Sequence, residues 1–343
     1  MTATPAPEPD APEVSVVMPA RDAEAFVAEA VASVLAETGV ALELVVVEDG
    51  SSDGTAAVLA SIDDPRLRVV PGPRVGISAA LNAGVAAARG RFVARCDADD
   101  LFPPGRLGPQ AQLLRAKPDA AAVAGGYASL DARGREVAVM DTGNEPAELT
   151  AELLAGRTRT HLGAWLVRRT AWEAVGGARP WFRCAEDLDL QCRLAGVGRV
   201  LYRPGVAYRY RLHGASTTHR LADERRAFFD AAVVRFARQR AAGGPDDLDR
   251  GEAPEPPEAP AAGAAPRMSP RWQAQGHLMA AAHRAAAAGR RGGALRLLGR
   301  ALAADPGGFR RWPTLLRQAA ATLRPRRSSP SPPHPLAGER PRG

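Results

Sequence analysis

Short apolar runs bounded by Pro, Gly or Asp recur along the first hundred residues, at 14–18 (VSVVM), 44–47 (LVVV), 67–70 (LRVV) and 92–94 (FVA). Runs this short, continuous and rich in β-branched residues predict strands buried on both faces. Between them Phe26, Ala30, Val31 and Val34 recur at helical spacing, and so do Ala80, Leu81 and Val85, predicting helices over 23–36 and 78–88. Strands alternating with helices predict an α/β fold whose largely parallel sheet is covered on both faces. Farther along, the pattern predicts helices over 106–116, 149–155, 170–175 and 221–240, and an extended, Gly-broken region over 123–140 with a turn at 131–134. A short strand is expected at 165–167 and an amphipathic stretch over 186–194.

The same pattern divides the chain. Residues 1–13 are expected to be disordered, 14–240 to form the α/β domain, and the Pro/Ala/Gly-rich stretch 241–270 to act as a linker. Helical character returns over 271–323, and the Arg/Ser/Pro-rich end, 324–343, reads as a disordered basic tail. Charge follows this division: residues 267–343 carry fifteen Lys+Arg against two Asp+Glu, enough to account for the whole net charge of +7. Such a tail is either solvated or drawn to an anionic membrane surface or a protein partner. Lys117 is the only lysine, as in an Arg-rich proteome, and nucleic acid is not an expected partner. Three cysteines, Cys96, Cys184 and Cys192, form an odd, widely spaced set that suits a reducing compartment and has no zinc-ligand spacing. With no signal-like N-terminus and no run long enough to span a bilayer, the expectation is a cytoplasmic protein, peripheral at most to the cytoplasmic face of a membrane.

Ligands of open α/β sheets bind beyond the carboxyl ends of the strands. After the first strand come Pro19, Ala20, Arg21 and Asp22; after the second, Glu48 to Gly54 with Asp49 in the lead; after the fourth, Asp97, Ala98, Asp99 and Asp100. If the fourth strand runs on, Asp97 and Asp99 leave it on one side, since side chains alternate with period two. Two such carboxylates suit one hard cation, and Mg2+ is usually held by one or two carboxylates together with substrate phosphates. A nucleotide-linked substrate is the implication. Each cluster taken singly also reads as turn or cap residues, and Glu186-Asp187 also reads as acids favoured at a helix N-terminus.

Five segments, VSVVMPARDAEAFVAEAVASVL, ELVVVEDGSSDGT, GISAALNAGVAAARGRFVARCDADD, HLGAWLVRRTAWEAVGG and AEDLDLQCRL, occur in an order and spacing that resemble family 2 glycosyltransferases over about residues 14–215. The resemblance implies the GT-A fold, a Rossmann-like nucleotide-diphospho-sugar transferase fold, here with a small α-helical C-terminal region. It implies an inverting transfer from a nucleotide-sugar donor, a UDP-sugar first, to a saccharide or lipid-linked acceptor, assisted by Mg2+ or Mn2+. Carried over, Asp99 is the principal metal ligand, Asp97 contacts the ribose or sugar side of the donor and the metal, and Asp187 is the general base with Asp189 as its rival. Asp49 binds the base, Pro19, Ala20 and Arg21 line it, and Gly76 and Asn82 shape the nucleotide and phosphate approach. Asp22 or Glu24 also faces the nucleotide, although the usual Asn-containing turn is missing there. His213 lies where some members place a residue near the metal or diphosphate. His161 falls on the acceptor side and reads as structural, while Trp181 reads either as an acceptor-stacking ring or as core.

Two other classes share parts of this pattern. A nucleotidyltransferase acting on a sugar phosphate would also pair acids around a metal, but the first loop lacks the basic Gly-rich segment that holds a triphosphate. A non-catalytic scaffold would have lost the acids, and Asp49, Asp97, Asp99 and Asp187 are all present. Over 275–306 the sequence resembles one tetratricopeptide repeat parted at Gly289, a unit that must pack on a neighbour; an amphipathic pair lying on anionic lipid is the alternative.

Overall fold

The strand Val14–Ala20 (β1) is buried at six of its seven positions, as a strand covered by helices on both faces must be. It pairs in parallel with Leu42–Glu48 (β2) and Phe92–Arg95 (β4), and β2 pairs in parallel with Leu67–Pro71 (β3). These four strands end together, which brings the loops after β1, β2 and β4 to one rim. Helices Val27–Leu35 (α1), Thr55–Ala60 (α2) and Ile77–Ala87 (α3) connect them. Gly84 lets α3 settle onto the sheet, since a Cβ there would lie 2.3 Å from Val17 Cγ1. The computed structural model describes residues 11–140, 143, 145–216, 223–258, 269–306, 313 and 317.

Beyond β4 the sheet becomes mixed. Leu166–Arg168 (β8) runs antiparallel to β4 and to Ala120–Leu130 (β5), and β5 pairs in parallel with Arg199–Arg211 (β9). Ala147–Glu148 (β7) closes one edge on β9, and Glu136–Met140 (β6) forms a further edge on β5. The order is β3-β2-β1-β4-β8-β5-β9-β7 with β6 beside β5, nine strands among the described residues. Leu107–Ala116 (α4), Thr150–Leu154 (α5), Arg169–Ala174 (α6), Glu186–Leu194 (α7) and Asp223–Ala241 (α8) flank this half. The expected α/β sheet with flanking helices is thus present.

Several expectations need correction. Helix α1 begins at Val27 rather than 23, because Ala23 N–H is taken by Thr55 Oγ1 at 2.8 Å and Glu24 N–H by Asp53 at 3.1 Å. The thirteen-residue β9 was not expected at all. The stretch read as linker does not begin as a free tether: Asp246 and Asp247 are buried, and Asp246 and Asp249 pair with Arg179 at 2.7 and 2.6 Å.

Helices Pro270–Ala287 (α9) and Arg291–Ala304 (α10) form a hairpin around Gly289, whose φ of 78° suits glycine. Leu278, Ala281, Ala282, Leu298 and Ala301 bury their side chains against Ala138 of β6. Arg300 donates to the Val137 carbonyl at 2.8 Å and Arg284 to that of Val139 at 3.3 Å, so the hairpin also covers open carbonyls of an edge strand. The first ten residues, most of the stretch after 306 and the tail 324–343 lie outside the described residues.

Candidate active site

The loops after β1 and β2 are stitched to each other. Asp22 accepts from Ser52 N–H and Oγ at 2.8 and 3.0 Å and returns its own N–H to Ser51 Oγ at 3.1 Å; these bonds hold its carboxyl below the usual range. Glu24 accepts from Gly54 N–H at 3.0 Å. Asp22 and Glu24 thus close the two loops on each other. Asp49 N–H donates to the Ala20 carbonyl at 2.8 Å, and Asp49 Oδ1 accepts from Arg74 N–H at 2.6 Å, so that Asp49, Pro19 and Ala20 share one corner. Arg21 extends into solvent from its edge. Gly76 opens α3 at φ 112° with no atom within 4 Å of where a Cβ would stand.

Asn82 Nδ2 donates to the Ala178 carbonyl at 2.8 Å and its Oδ1 accepts from Ala178 N–H at 2.9 Å. An amide engaged at both ends pins the segment after α6.

The turn after β4 carries the central correction. β4 stops at Arg95, and Asp100 N–H closes a turn on the Asp97 carbonyl at 3.1 Å, so period-two alternation does not place the two carboxylates. They diverge instead. Asp97 receives a bidentate pair from Arg95, Nε at 2.6 Å and Nη2 at 3.1 Å, and Arg95 also reaches Glu186 Oε1 at 3.3 Å. Asp99 Oδ2 lies 2.7 Å from His213 Nε2, and the His213 ring packs 4.7 Å from Phe26. The expected trio of Asp97, Asp99 and His213 is thus split, and among the described residues no group of three or more His, Cys, Asp and Glu is arranged to hold a metal ion. Asp99 with His213 still offers a carboxylate and an imidazole, a donor set that suits a divalent cation completed by phosphate oxygens.

Asp100 staples the turn to β9. It is fully buried and accepts from Tyr208 Oη and Arg211 N–H, both at 2.7 Å, while Asp97 N–H donates to Tyr208 Oη at 3.0 Å. Arg211 donates to the Asp99 carbonyl at 2.9 Å and pairs with Glu29 at 2.8 Å. Arg95, Tyr208 and Arg211 were all missed from sequence. Their signals were a lone basic residue inside a buried strand and a Tyr/Arg alternation over 208–211.

Asp187 lies in the first turn of α7, after Ala185 in the left-handed conformation at φ 62°. Burial raises its carboxyl pKa, Arg95 opposes that rise and Asp97 adds to it, so the base candidate and the turn after β4 share one electrostatic cleft. Burial and the Asp187 charge push Glu186 up to about 7. Asp189, the rival base, is fully buried and accepts from Arg193 Nε at 2.7 Å. Trp181 packs with Phe182, Phe228, Phe229 and Phe236 and is part-buried at the margin of that cluster. His161 accepts from Gly163 N–H at 3.0 Å, and burial lowers its pKa to about 4.

Comparison with known proteins fits this layout. The family model for glycosyl transferase family 2 matches residues 15–175, a segment that stops short of Asp187 and His213. The chain is 32% identical to the succinoglycan biosynthesis protein ExoU of Rhizobium meliloti over 248 residues, 66% of this chain and 70% of that one. It is 44% identical over 97 residues to succinoglycan biosynthesis protein ExoO of the same organism, 28% of each chain. It is 27% identical over 223 residues to the chondroitin synthase of Pasteurella multocida, 60% of this chain but 21% of that one. Against these last two proteins it thus spans less than a third of their length. Among solved structures it resembles Staphylococcus aureus TarS 1–349 in complex with UDP-GlcNAc, with a TM-score of 0.56 and 15% identity over 91% of this chain and 79% of that one. On the ExoU similarity and the matched family segment, the chain belongs to glycosyl transferase family 2.

Proposed function

We propose that the protein moves a sugar from a nucleoside-diphosphate donor, a UDP-sugar, to an acceptor hydroxyl in polysaccharide assembly, by one displacement with inversion. The observation that carries this reading is the Arg95 bridge: one guanidinium holds Asp97, on the donor side, and Glu186, beside the base candidate Asp187. This bridge supports a donor half and an acceptor half that face one cleft. The TarS structures were solved with UDP and with UDP-GlcNAc, and ExoO and ExoU are succinoglycan biosynthesis proteins, which favours this donor and product class.

The residues divide the work. Asp49, with Pro19 and Ala20, receives the base of the nucleotide, and the exposed Arg21 stands at the edge of the same corner. Asp97 orients the ribose or sugar through hydroxyl contacts, its carboxylate held in place by the bidentate pair from Arg95. Asp187 takes the proton from the acceptor oxygen as that oxygen attacks the anomeric carbon. Its half-buried position raises its basicity without removing it from reach of a hydroxyl. Asp99 and His213 would hold Mg2+ or Mn2+, which when bound neutralises charge on the departing diphosphate. Melting the protein with UDP, GDP and dTDP, each with Mg2+ or Mn2+, tests the donor half. UDP with a divalent ion should raise Tm, and Asp99→Ala should lose the metal-dependent part; no rise with any nucleotide would contradict the reading.

A further inference from the structure

A row of rings leads away from the turn after β4. Tyr208, whose hydroxyl anchors that turn, stacks on His161 with centroids 4.9 Å apart, and Tyr210 stacks on the same imidazole at 5.2 Å. Tyr127 of β5 lies 5.8 Å from His161, and the Asp187 charge helps burial push the Tyr127 hydroxyl up to about 12. The next ring belongs to the C-terminal hairpin: His277 of α9 lies 6.1 Å from Tyr127 and 6.4 Å from Tyr210. One turn earlier, Gln273 Nε2 approaches Tyr210 Oη at 3.4 Å. Tyr127, His161 and His277 are each part-exposed, so the row is not closed core.

His277 carries more than packing. Its Nδ1 is buried with no hydrogen-bond partner among the described residues, whereas a buried ring nitrogen ordinarily has one. Burial lowers its pKa to about 4, so the ring is neutral and offers one donor and one acceptor. Asp187 and Arg284 act on this row with opposite charge, so it favours neither an anionic nor a cationic ligand. Aromatic faces combined with a neutral donor and acceptor match a pyranose, which presents C–H groups on one face and hydroxyls at its rim.

We propose that α9 forms one wall of the acceptor subsite, with Tyr127, His161 and His277 bordering an uncharged sugar ring and His277 hydrogen-bonding one of its hydroxyls. The hairpin is then a specificity element of the site, not an appended module. This inference rests on the glycosyltransferase reading above. It is tested on the full chain labelled with 15N-histidine, whose six histidines give few ring signals, the His277 signal being the one lost in His277→Phe. With UDP bound, the methyl glycosides of glucose, galactose and N-acetylglucosamine are titrated in turn. At least one should shift the His277 signal, and His277→Phe, which keeps the ring packing and should melt like the wild type, should bind that glycoside about tenfold more weakly. UDP binding with no His277 shift for any glycoside would overturn the subsite alone, as would unchanged affinity in His277→Phe. Failure of UDP itself to bind would instead remove the reading on which it rests.

Discussion

Arg95 decides how the acids of this cleft behave. A guanidinium that is 6% exposed meets two carboxylates, and the fork geometry fixes Asp97 while the remaining nitrogen steadies Glu186 at the head of α7. Its charge also lowers the pKa of both Glu186 and Asp187 against the burial that raises them. Because Asp187 must be ionised to accept a proton, transfer should fall as pH drops through a pKa above the ordinary carboxylate value. Removing Arg95 takes away the lowering influence, so in Arg95→Met the acid limb of the pH–rate profile should move to higher pH, while Arg95→Lys should move it less. An unmoved limb in Arg95→Met would contradict the bridge. Asp49, Asp97, Asp99 and Asp187 were legible as acids at strand and helix ends. His213 was legible beside Asp99, but the role of Arg95 was not, because which carboxylates it meets depends on α7, some ninety residues away in sequence.

At the scale of elements, β1, β2, β4, α3 and α4 followed directly from apolar periodicity, since each buries a continuous stripe; β3 was legible as a strand, but it lies at the sheet edge with no fully buried position rather than covered on both faces. β9 did not, for Pro204 and Gly205 interrupt it and its arginines mask the alternation. Those arginines are useful only in the folded sheet, where Arg211 reaches the turn after β4. Helix α2 was passed over because its six residues are too few to show a period. The junction of these halves depends on Arg106, which is 4% exposed and donates to the carbonyls of Gly163, Trp165 and Ala207 while its guanidinium lies 4.0 Å from the Phe102 ring centroid. Arg106→Ala would leave three buried carbonyls unpaired, a loss of about 3 kcal/mol or more. For a domain of this size that corresponds to roughly 6–12 °C in Tm. A calorimetric Tm within about 2 °C of wild type, well short of that range, would show the contacts to be dispensable.

Across the whole molecule, the C-terminal hairpin binds the catalytic half through apolar burial and through arginines that cap the β6 edge. The sequence announced two Ala-rich helices but not their partner, because Ala138 and Val137 carry no mark of what covers them. No helix among the described residues is long and apolar enough to cross a membrane. Leu298 is 4% exposed within the hairpin contact, so Leu298→Asp places an unpaired carboxylate there and should release the hairpin. The uncovered β6 edge should then give concentration-dependent self-association in light scattering, and a monodisperse variant would argue against edge protection. The proposed function rests on a cleft in which one acid would handle the donor and another the proton. The most direct test is NMR detection of sugar transfer from a UDP-sugar by Asp187→Asn, beside calorimetric binding of UDP to the same protein. UDP affinity should stay within about threefold of wild type while transfer drops by about 10²–10⁴, the contribution of a positioned general base; transfer at the wild-type rate would contradict Asp187 as the base.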